Sequence, residues 1–574
     1  MTADTHKLSL RSYILLAILA LAFFLPGIAA LPPIDRDEPR YTQATTQMLE
    51  SGDFVDIRFM DQVRYKQPAG IYWIQSASVA LFGGIDPGDT WHAHKIWAHR
   101  LPSALNGMIA VLLAAWLGAA FFGRKAGLAA GVMLACCFSL TFESHIAKID
   151  ATLCMITLAA QVCLARMRLD AAEAKPAGWQ VASLFWLIIG VGVMIKGPVP
   201  LLVSGGTIAL VSAWERSTDL LKRLRAFPLV LIALAVCLPW LIAIGIRSHG
   251  EFFQLAVGKN FVGKIASGQE SHGAPPGYHL ALFSAMFWPS ALFAVASIPA
   301  VWKNRRDPRV RFLVSWIVPS WLVFELIATK LPHYVLPTYP AIAVLAAGAW
   351  FGDLQVVVGK VGVWLGRLYA VIWAVVGLIL AAASPVALYV LEKHIDAVSI
   401  ILAVIAGAAI LACLGLLATK QKGVGLTVAV VAALVSWFNL FAWSAPQLNT
   451  MWLSPRVVAA VQANAPCPHP VLASAPFQEA SLAFLEGTST LFVAPDAVAD
   501  HLASNPACGM ALIGAKEYPA FAAELAGKGV AVQKVAEIAG RNYANNAKLR
   551  LGLYRAVTPA AESSPSAASP KTLP

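Results

Sequence analysis

A set of ionisable residues stands where an apolar chain has little use for them: Asp35, Asp37, Glu38, Arg40, Arg58, Arg64, Lys66, Lys148, Asp150, Lys196, Lys330 and His333. They fall in the first long loop or at the ends of apolar segments, where a charge is costly and marks function by default. Gathered in one cavity they suit a substrate that carries phosphate, held by the cations, and an amine or hydroxyl-rich sugar, held by the carboxylates. Each has a plainer reading. Asp35 to Arg40 reads equally as a solvated turn opening a helix. Lys196, ahead of Gly197-Pro198, reads as a side chain snorkelling at a helix end. Lys66, beside Tyr65 and before Pro68, reads as an interface anchor, and Lys148 and Asp150 as a structural pair.

The elements that position these residues follow from composition. The chain has 574 residues, of which 58% are hydrophobic and 13% charged, with a mean hydropathy of +0.67. A soluble domain is about half apolar and about a quarter charged, so one water-soluble core is excluded, as are disordered, collagen-like and disulfide-scaffold classes. The remaining class is a polytopic α-helical membrane protein. Apolar segments run over 13–31, 101–121, 126–142, 150–166, 182–196, 198–213, 227–246, 281–301, 312–328, 335–352, 368–391, 399–419 and 425–445. At about 20 residues per crossing they predict about 13 transmembrane helices. The first is too long for a signal-peptide core and reads as a retained anchor.

The net charge of +12 would suggest nucleic acid in a soluble protein. Here no basic patch is interleaved with base-stacking aromatics, and no nucleic-acid partner is expected. The basic residues instead define topology. With the N-terminus in the cytoplasm, alternate loops carry Arg124-Lys125, then Arg166, Arg168 and Lys175, then Arg216 to Arg225, then Lys303 to Arg311, then Lys360 and Arg367, then Lys420 and Lys422. This is the positive-inside pattern. It puts the ionisable set on the opposite, non-cytoplasmic face, in a cavity bordered by membrane lipids.

Outside the spans, segment 32–100 alternates polar loops with amphipathic runs at Tyr41–Leu49 and Ile71–Phe82, read as interfacial helices. A second loop covers 247–280. From 446 to 557, short apolar runs at 471–474, 490–493, 510–514, 530–532 and 549–554 alternate with helical stretches, predicting a small α/β domain beyond the membrane. Residues 558–574 are Ala/Ser/Pro-rich and read as disordered. Cys467 and Cys508 are the only cysteines in that tail and form a candidate disulfide.

The motifs Asp37-Glu38-Pro39-Arg40-Tyr41, Met48-Leu49-Glu50-Ser51-Gly52-Asp53-Phe54, Lys66-Gln67-Pro68 and Ile71-Tyr72-Trp73 come in sequence. They are followed by Lys148-Ile149-Asp150, Ile195-Lys196-Gly197-Pro198, Leu238-Pro239-Trp240, Ser271-His272-Gly273-Ala274-Pro275 and Thr329-Lys330-Leu331-Pro332-His333-Tyr334. Together they resemble the bacterial lipid A 4-amino-4-deoxy-L-arabinose transferases, of the GT-C superfamily that includes the protein O-mannosyltransferases. Family members usually read Glu-Lys-Pro where this chain has Lys66-Gln67-Pro68. Their first motif reads acid-Glu-Thr-Arg-Tyr, where this chain has Pro39.

The resemblance implies a GT-C glycosyltransferase fold with a periplasmic C-terminal α/β domain, in the bacterial inner membrane. The implied enzyme is an inverting pentosyltransferase. It moves aminoarabinose from undecaprenyl phosphate to a lipid A phosphate at the periplasmic face, conferring resistance to polymyxin and cationic peptides. Asp37 is the favoured catalytic carboxylate, with Glu38, Asp150 and Asp35 in support. Lys66, Arg58, Arg64, Lys330 and Tyr334 are expected at the donor phosphate, and Arg40, Tyr41, Lys196 and His333 at the substrate. No essential cofactor is expected. His272 matches a family histidine, and with Glu270 and His279 nearby these groups can bind zinc, though their spacing fits no standard motif. The alternatives are a related enzyme with a protein or glycan hydroxyl as acceptor, and a transporter or flippase, which lacks support from any inverted repeat.

Topology is directly testable. Cysteines placed at Ser51 and Ser564 should both label from the periplasm in intact cells; labelling only after the inner membrane is opened would overturn the orientation.

Overall fold

The computed structural model describes residues 7–34, 36–83, 95–176, 178–263, 273–356 and 359–557. It divides into two compact units, Met1–Leu448 and Asn449–Pro574.

The first unit opens with α1 (Leu10–Phe24), α2 (Asp37–Ser51), a hairpin of β1 (Arg58–Phe59) and β2 (Gln62–Val63), and α3 (Gly70–Phe82). It continues with α4 (Ile96–Phe122), α5 (Arg124–Ala135), α6 (Phe138–Ser144), α7 (Asp150–Ala172), α8 (Trp179–Lys196) and α9 (Val199–Glu215). Among the described residues eight helices are long and apolar enough to cross a membrane: α4, α7 and α8, with Ala226–Arg247, Pro332–Phe351, Lys360–Glu392, Ala397–Ala418 and Lys422–Gln447. Two more predicted spans are bent. α5 and α6 meet at 60°, and the segment expected at 281–301 is Tyr278–Met286 and Ala291–Lys303 meeting at 120°, so it is no straight crossing. The other three expected spans fall on α1, α9 and the helix Pro308–Leu326.

Local sequence explains the boundaries that matter. Asp37 and Glu38 occupy the first turn of α2, where acidic groups favour the positive end of the helix dipole. Its end is set by Gly52, in the left-handed region at φ 69°. The α4–α5 pair is built from small residues: a Cβ on Gly127 would lie 2.5 Å from the Ala119 methyl, so only glycine lets the two backbones approach this closely. Burial sorts the helices into layers. The apolar window of Pro332–Phe351 is 78% buried within the protein, whereas that of Ala397–Ala418 is 22% buried and leaves its side chains for lipid.

The second unit is α/β. Strands β3 (Val471–Ala475), β4 (Leu491–Phe492), β5 (Gly509–Gly514), β6 (Val532–Arg541) and β7 (Lys548–Ala556) form one sheet in the order β4-β3-β5-β7-β6. β3 runs parallel to β4 and β5, while β7 is antiparallel to both β5 and β6. The central strand β5 is buried throughout. Leu472, Leu512 and Leu553 pack on one face with Val457 and Val461, and Ile513 packs on the other with Val498 and Phe521. β6 is a longer strand than the apolar run at 530–532 predicts. It is a sheet edge with Ile538 its one buried residue and with the exposed ion pair Lys534–Glu537, so apolarity does not mark its length.

Cys467 and Cys508 are bonded, with Cα atoms 5.5 Å apart, tying the chain ahead of β3 to the chain ahead of β5. The six remaining cysteines are buried free thiols. Mass mapping of unreduced protein should recover the Cys467–Cys508 peptide pair. Its replacement by serines should destabilise this unit by about 2–4 kcal/mol; two separately alkylated thiols would reject the bond.

Candidate active site

Glu38 and Arg100 form the frame of the site. Neither side chain has exposed surface. Arg100 Nε and Nη2 donate to the two Glu38 carboxylate oxygens, both at 2.8 Å. The remaining guanidinium N–H groups donate to the carbonyls of Ile28, Leu31 and Pro32 at 2.9, 2.6 and 2.9 Å. Glu38 also accepts from the backbone N–H of Ile34 at 2.6 Å and of Ala147 at 2.8 Å. One buried, fully bonded pair thus joins the start of α2, the chain after α1, helix α4 and the turn between α6 and α7.

That clasp sets the edge of a cavity of about 400 Å³, lined among others by Asp37, Tyr41, Arg64, Lys66, Glu143, Lys148, Asp150, Lys196, His333 and Tyr334. Asp37 begins α2. Burial alone would raise its pKa, but Lys148, Arg64, Lys66 and Arg40 more than offset this and hold it below the usual aspartate range. It therefore stays a carboxylate at neutral pH. Arg64 is buried, donates to the Tyr72 hydroxyl at 3.2 Å and lies over the Tyr41 ring at 5.0 Å. Asp150 starts α7 and accepts from Lys196 Nζ at 2.6 Å. Lys196 closes α8, where Gly197 at φ 55° turns the chain and Pro198 leads into α9. Its ammonium also sits 5.4 Å from the Tyr334 ring centre.

His333 stands between two buried carboxylates, with Nδ1 3.2 Å from Glu143 and Nε2 3.4 Å from Asp150. Lys148 Nζ is 3.7 Å from the other Glu143 oxygen. Glu143, Asp150 and His333 could converge on a metal ion, their ligand atoms lying within 4.8 Å of one another. The two lysines already neutralise both carboxylates, so this trio is charge-balanced without one. Apart from His333, four cations and three carboxylates line the cavity. These seven groups carry one positive charge in excess, which suits a singly charged phosphodiester.

An apolar groove of about 450 Å³ continues from the cavity, sharing Lys66, Asp150, Lys196, His333 and Tyr334 with it. Leu153, Val193, Leu241, Phe252 and Phe324 line its length. A polar head and an apolar chain can thus be held at once.

The predicted residues separate accordingly. Asp37, Tyr41, Arg64, Lys66, Asp150, Lys196, His333 and Tyr334 come together in the cavity. Gln67 joins Lys66 there, so both residues ahead of Pro68 reach it. Glu38 does not line it; both its oxygens are engaged by Arg100 and backbone N–H groups. Arg40 lies outside the lining, 4.0 Å from Asp37. Arg58 is an exposed hairpin residue that donates to Asp56 at 3.3 Å and to the Asp61 carbonyl at 2.6 Å. Lys330 is buried and donates to the carbonyls of Ala274 and Ile327, both at 2.7 Å, rather than facing a ligand. His279 pairs with Glu325 at 3.5 Å and with the Leu331 carbonyl at 3.1 Å, apart from the cavity. Asp35, Glu270 and His272 lie outside the described residues. Sequence reasoning missed Glu143 and Arg100 altogether. The signal for Glu143 was the polar run Ser139, Thr141, Glu143, Ser144 and His145, closing an otherwise apolar segment.

Residues 66–242 match the family model described as dolichyl-phosphate-mannose-protein mannosyltransferase. A curated relative from Aeromonas salmonicida is named undecaprenyl phosphate-alpha-4-amino-4-deoxy-L-arabinose arabinosyl transferase. It is 27% identical over 445 residues, covering 75% of this chain and 76% of that one. Among solved structures, ArnT from Cupriavidus metallidurans bound to undecaprenyl phosphate superposes with a TM-score of 0.73 at 19% identity, covering 94% of this chain and 97% of that one. The archaeal oligosaccharyltransferase AglB from Archaeoglobus fulgidus gives 0.50 at 10% identity, over 90% and 71%. The architecture is that of the GT-C glycosyltransferases.

Neighbouring carboxylates make the sharpest test of this geometry. Glu38→Gln should lower the thermal midpoint of the detergent-purified protein, because it breaks a buried pair worth about 3–5 kcal/mol on removal of one partner. Asp37→Asn should leave the midpoint near wild type. Equal effects from the two would remove the distinction between frame and site.

Proposed function

We propose that this chain, a membrane glycosyltransferase of GT-C fold, transfers 4-amino-4-deoxy-L-arabinose from undecaprenyl phosphate to a lipid A phosphate. The observation that carries this reading is the junction of the charged cavity with the apolar groove. The curated relatives' names supply the sugar and the polyprenyl carrier; the acceptor and the periplasmic orientation rest on the family resemblance and the basic opposite loops. The disulfide Cys467–Cys508 supports an oxidising compartment for the C-terminal unit.

In this reading the polyprenyl chain lies in the groove and its phosphate meets Lys66 and Arg64. The donor is a phosphodiester with one charge, matching the single positive excess of the lining. When the bond between the anomeric carbon and the phosphate oxygen breaks, the leaving undecaprenyl phosphate gains a second negative charge. Fixed cations bind that product-like state more strongly than the ground state, which is the condition for rate acceleration. The acceptor phosphate has a second pKa of about 6 and is already a nucleophile, so no strong general base is required. Its oxygen attacks the anomeric carbon opposite the leaving group, inverting it. Asp37, ionised and close to the cations, stabilises positive charge developing on the sugar ring or pairs with the sugar's ammonium. Asp150 positions Lys196 and His333 rather than meeting the sugar. The product carries a new ammonium on lipid A, which weakens the attraction of the surface for polymyxin and other cationic peptides.

Purified protein given radiolabelled lipid-linked sugar should label lipid A and leave protein and glycan acceptors unlabelled. Lys66→Ala should weaken donor binding, and Asp37→Asn should slow turnover with donor still bound, each lowering kcat/KM by about a hundredfold or more. Monodisperse variants that transfer sugar at more than about a third of the wild-type rate would take these residues out of the site.

A further inference from the structure

A second charged cavity, of about 430 Å³, lies at the far ends of the helices that carry the first. Asp150 begins α7 at the candidate active site, and Arg168 and Leu169 lie near its other end in this second cavity. Val199 begins α9 beside the apolar groove, and Glu215 closes it here. From Asp150 to Leu169 α7 rises roughly 30 Å at 1.5 Å per residue. That is the apolar thickness of a bilayer, so the two cavities face opposite leaflets.

Four arginines line this cavity: Arg168, Arg223, Arg309 and Arg311. Three are neutralised. Arg168 grips both oxygens of Glu215 at 2.8 and 2.7 Å. Arg223 donates to Asp219 at 2.7 Å, and Arg309 pairs with Asp307 at 2.6 Å and Asp353 at 3.0 Å. Arg311 is different. Among the described residues its side chain has no ion pair, its Nε is buried with no hydrogen-bond partner, and its guanidinium carbon lies 6.0 Å from the centre of the Trp214 ring. A guanidinium keeps its charge at any physiological pH, so a cavity that gives it no carboxylate favours an anion there. Glu215, Ser217 and Asp219 complete the polar lining, and Phe121, Leu169, Val211 and Leu220 form an apolar part of the wall. Trp214, 38% exposed in the last turn of α9, marks the level where indole rings sit between lipid and water.

We propose that this cavity binds the phosphate group of an anionic phospholipid from the leaflet opposite the candidate active site. Arg311 forks onto the phosphate oxygens, and the acyl chains leave along the apolar wall. The geometry fits a lipid headgroup better than a free phosphate because the uncompensated charge and the apolar wall share one cavity at the depth of the interface.

Native mass spectrometry of the full-length protein released from detergent decides it. With added phosphatidylglycerol the wild-type protein should retain lipid adducts, at least about fivefold more than Arg311→Gln does, and phosphatidylcholine should show no such difference. Equal phosphatidylglycerol retention by the two proteins would overturn the site. Displacement of the lipid by millimolar inorganic phosphate would overturn the lipid as its occupant. If Arg311→Gln is not recovered folded, Arg311→Lys replaces it: a point charge without the fork should hold the lipid about threefold less well, and unchanged retention would equally reject the proposal.

Discussion

Glu38 and Arg100 face each other with no side-chain surface left to solvent, and every neighbouring backbone group they touch is held in register by them. In a water-poor setting a carboxylate and a guanidinium are stable only when each lone pair and each N–H finds a partner. Here the partners come from four separate stretches: the chain before α2, helix α4, the turn ahead of α7 and α2 itself. That requirement fixes the first turn of α2, and Asp37 is the residue just before the clasp. Lys148 and Asp150 follow the Ala147 N–H that Glu38 accepts. The two acidic stretches that line the cavity are thus placed by one interaction whose own side chains lie outside its lining.

Inside the cavity the same rule operates in pairs. Asp150 is balanced by Lys196 and Glu143 by Lys148, with His333 between the two carboxylates. Asp37, Lys66 and Arg64 complete the charged lining, and Lys66 borders the apolar groove as well. Charge that is neutralised locally holds the walls; in the proposed mechanism the net positive excess of the lining recognises substrate. Arg311 obeys the same logic at the opposite end of α7 and α9, where three arginines are matched by carboxylates and one is not.

The sequence made the helical class and most span positions legible, because a run of about 20 apolar residues has few alternatives. It also marked Asp37, Arg64, Lys66, Lys148, Asp150, Lys196 and His333, which line the cavity, but alongside Arg58 and Lys330, which do not. It could not say which of them meet a ligand. Glu38 and Asp37 are adjacent acids with the same local pattern, and only the distant Arg100 separates their roles. Lys330 sits in a conspicuous motif, yet its ammonium is satisfied by the Ala274 and Ile327 carbonyls, partners that no spacing rule reveals. Glu143 was hidden for the opposite reason, as a single acid one residue beyond a predicted span. The sharp bend at 286–291 was hidden by the apolar residues on either side, though Pro289-Ser290 is the local signal for it.

The central claim is that the Asp37 cavity adds an aminopentose to lipid A. Mass spectrometry of lipid A answers it most directly, in cells lacking the gene and complemented with either the wild-type chain or Asp37→Asn at equal membrane levels. The account predicts aminopentose-bearing lipid A with the wild-type chain and almost none with Asp37→Asn. Lipid A unaltered by the wild-type chain, or fully modified by Asp37→Asn, would contradict it.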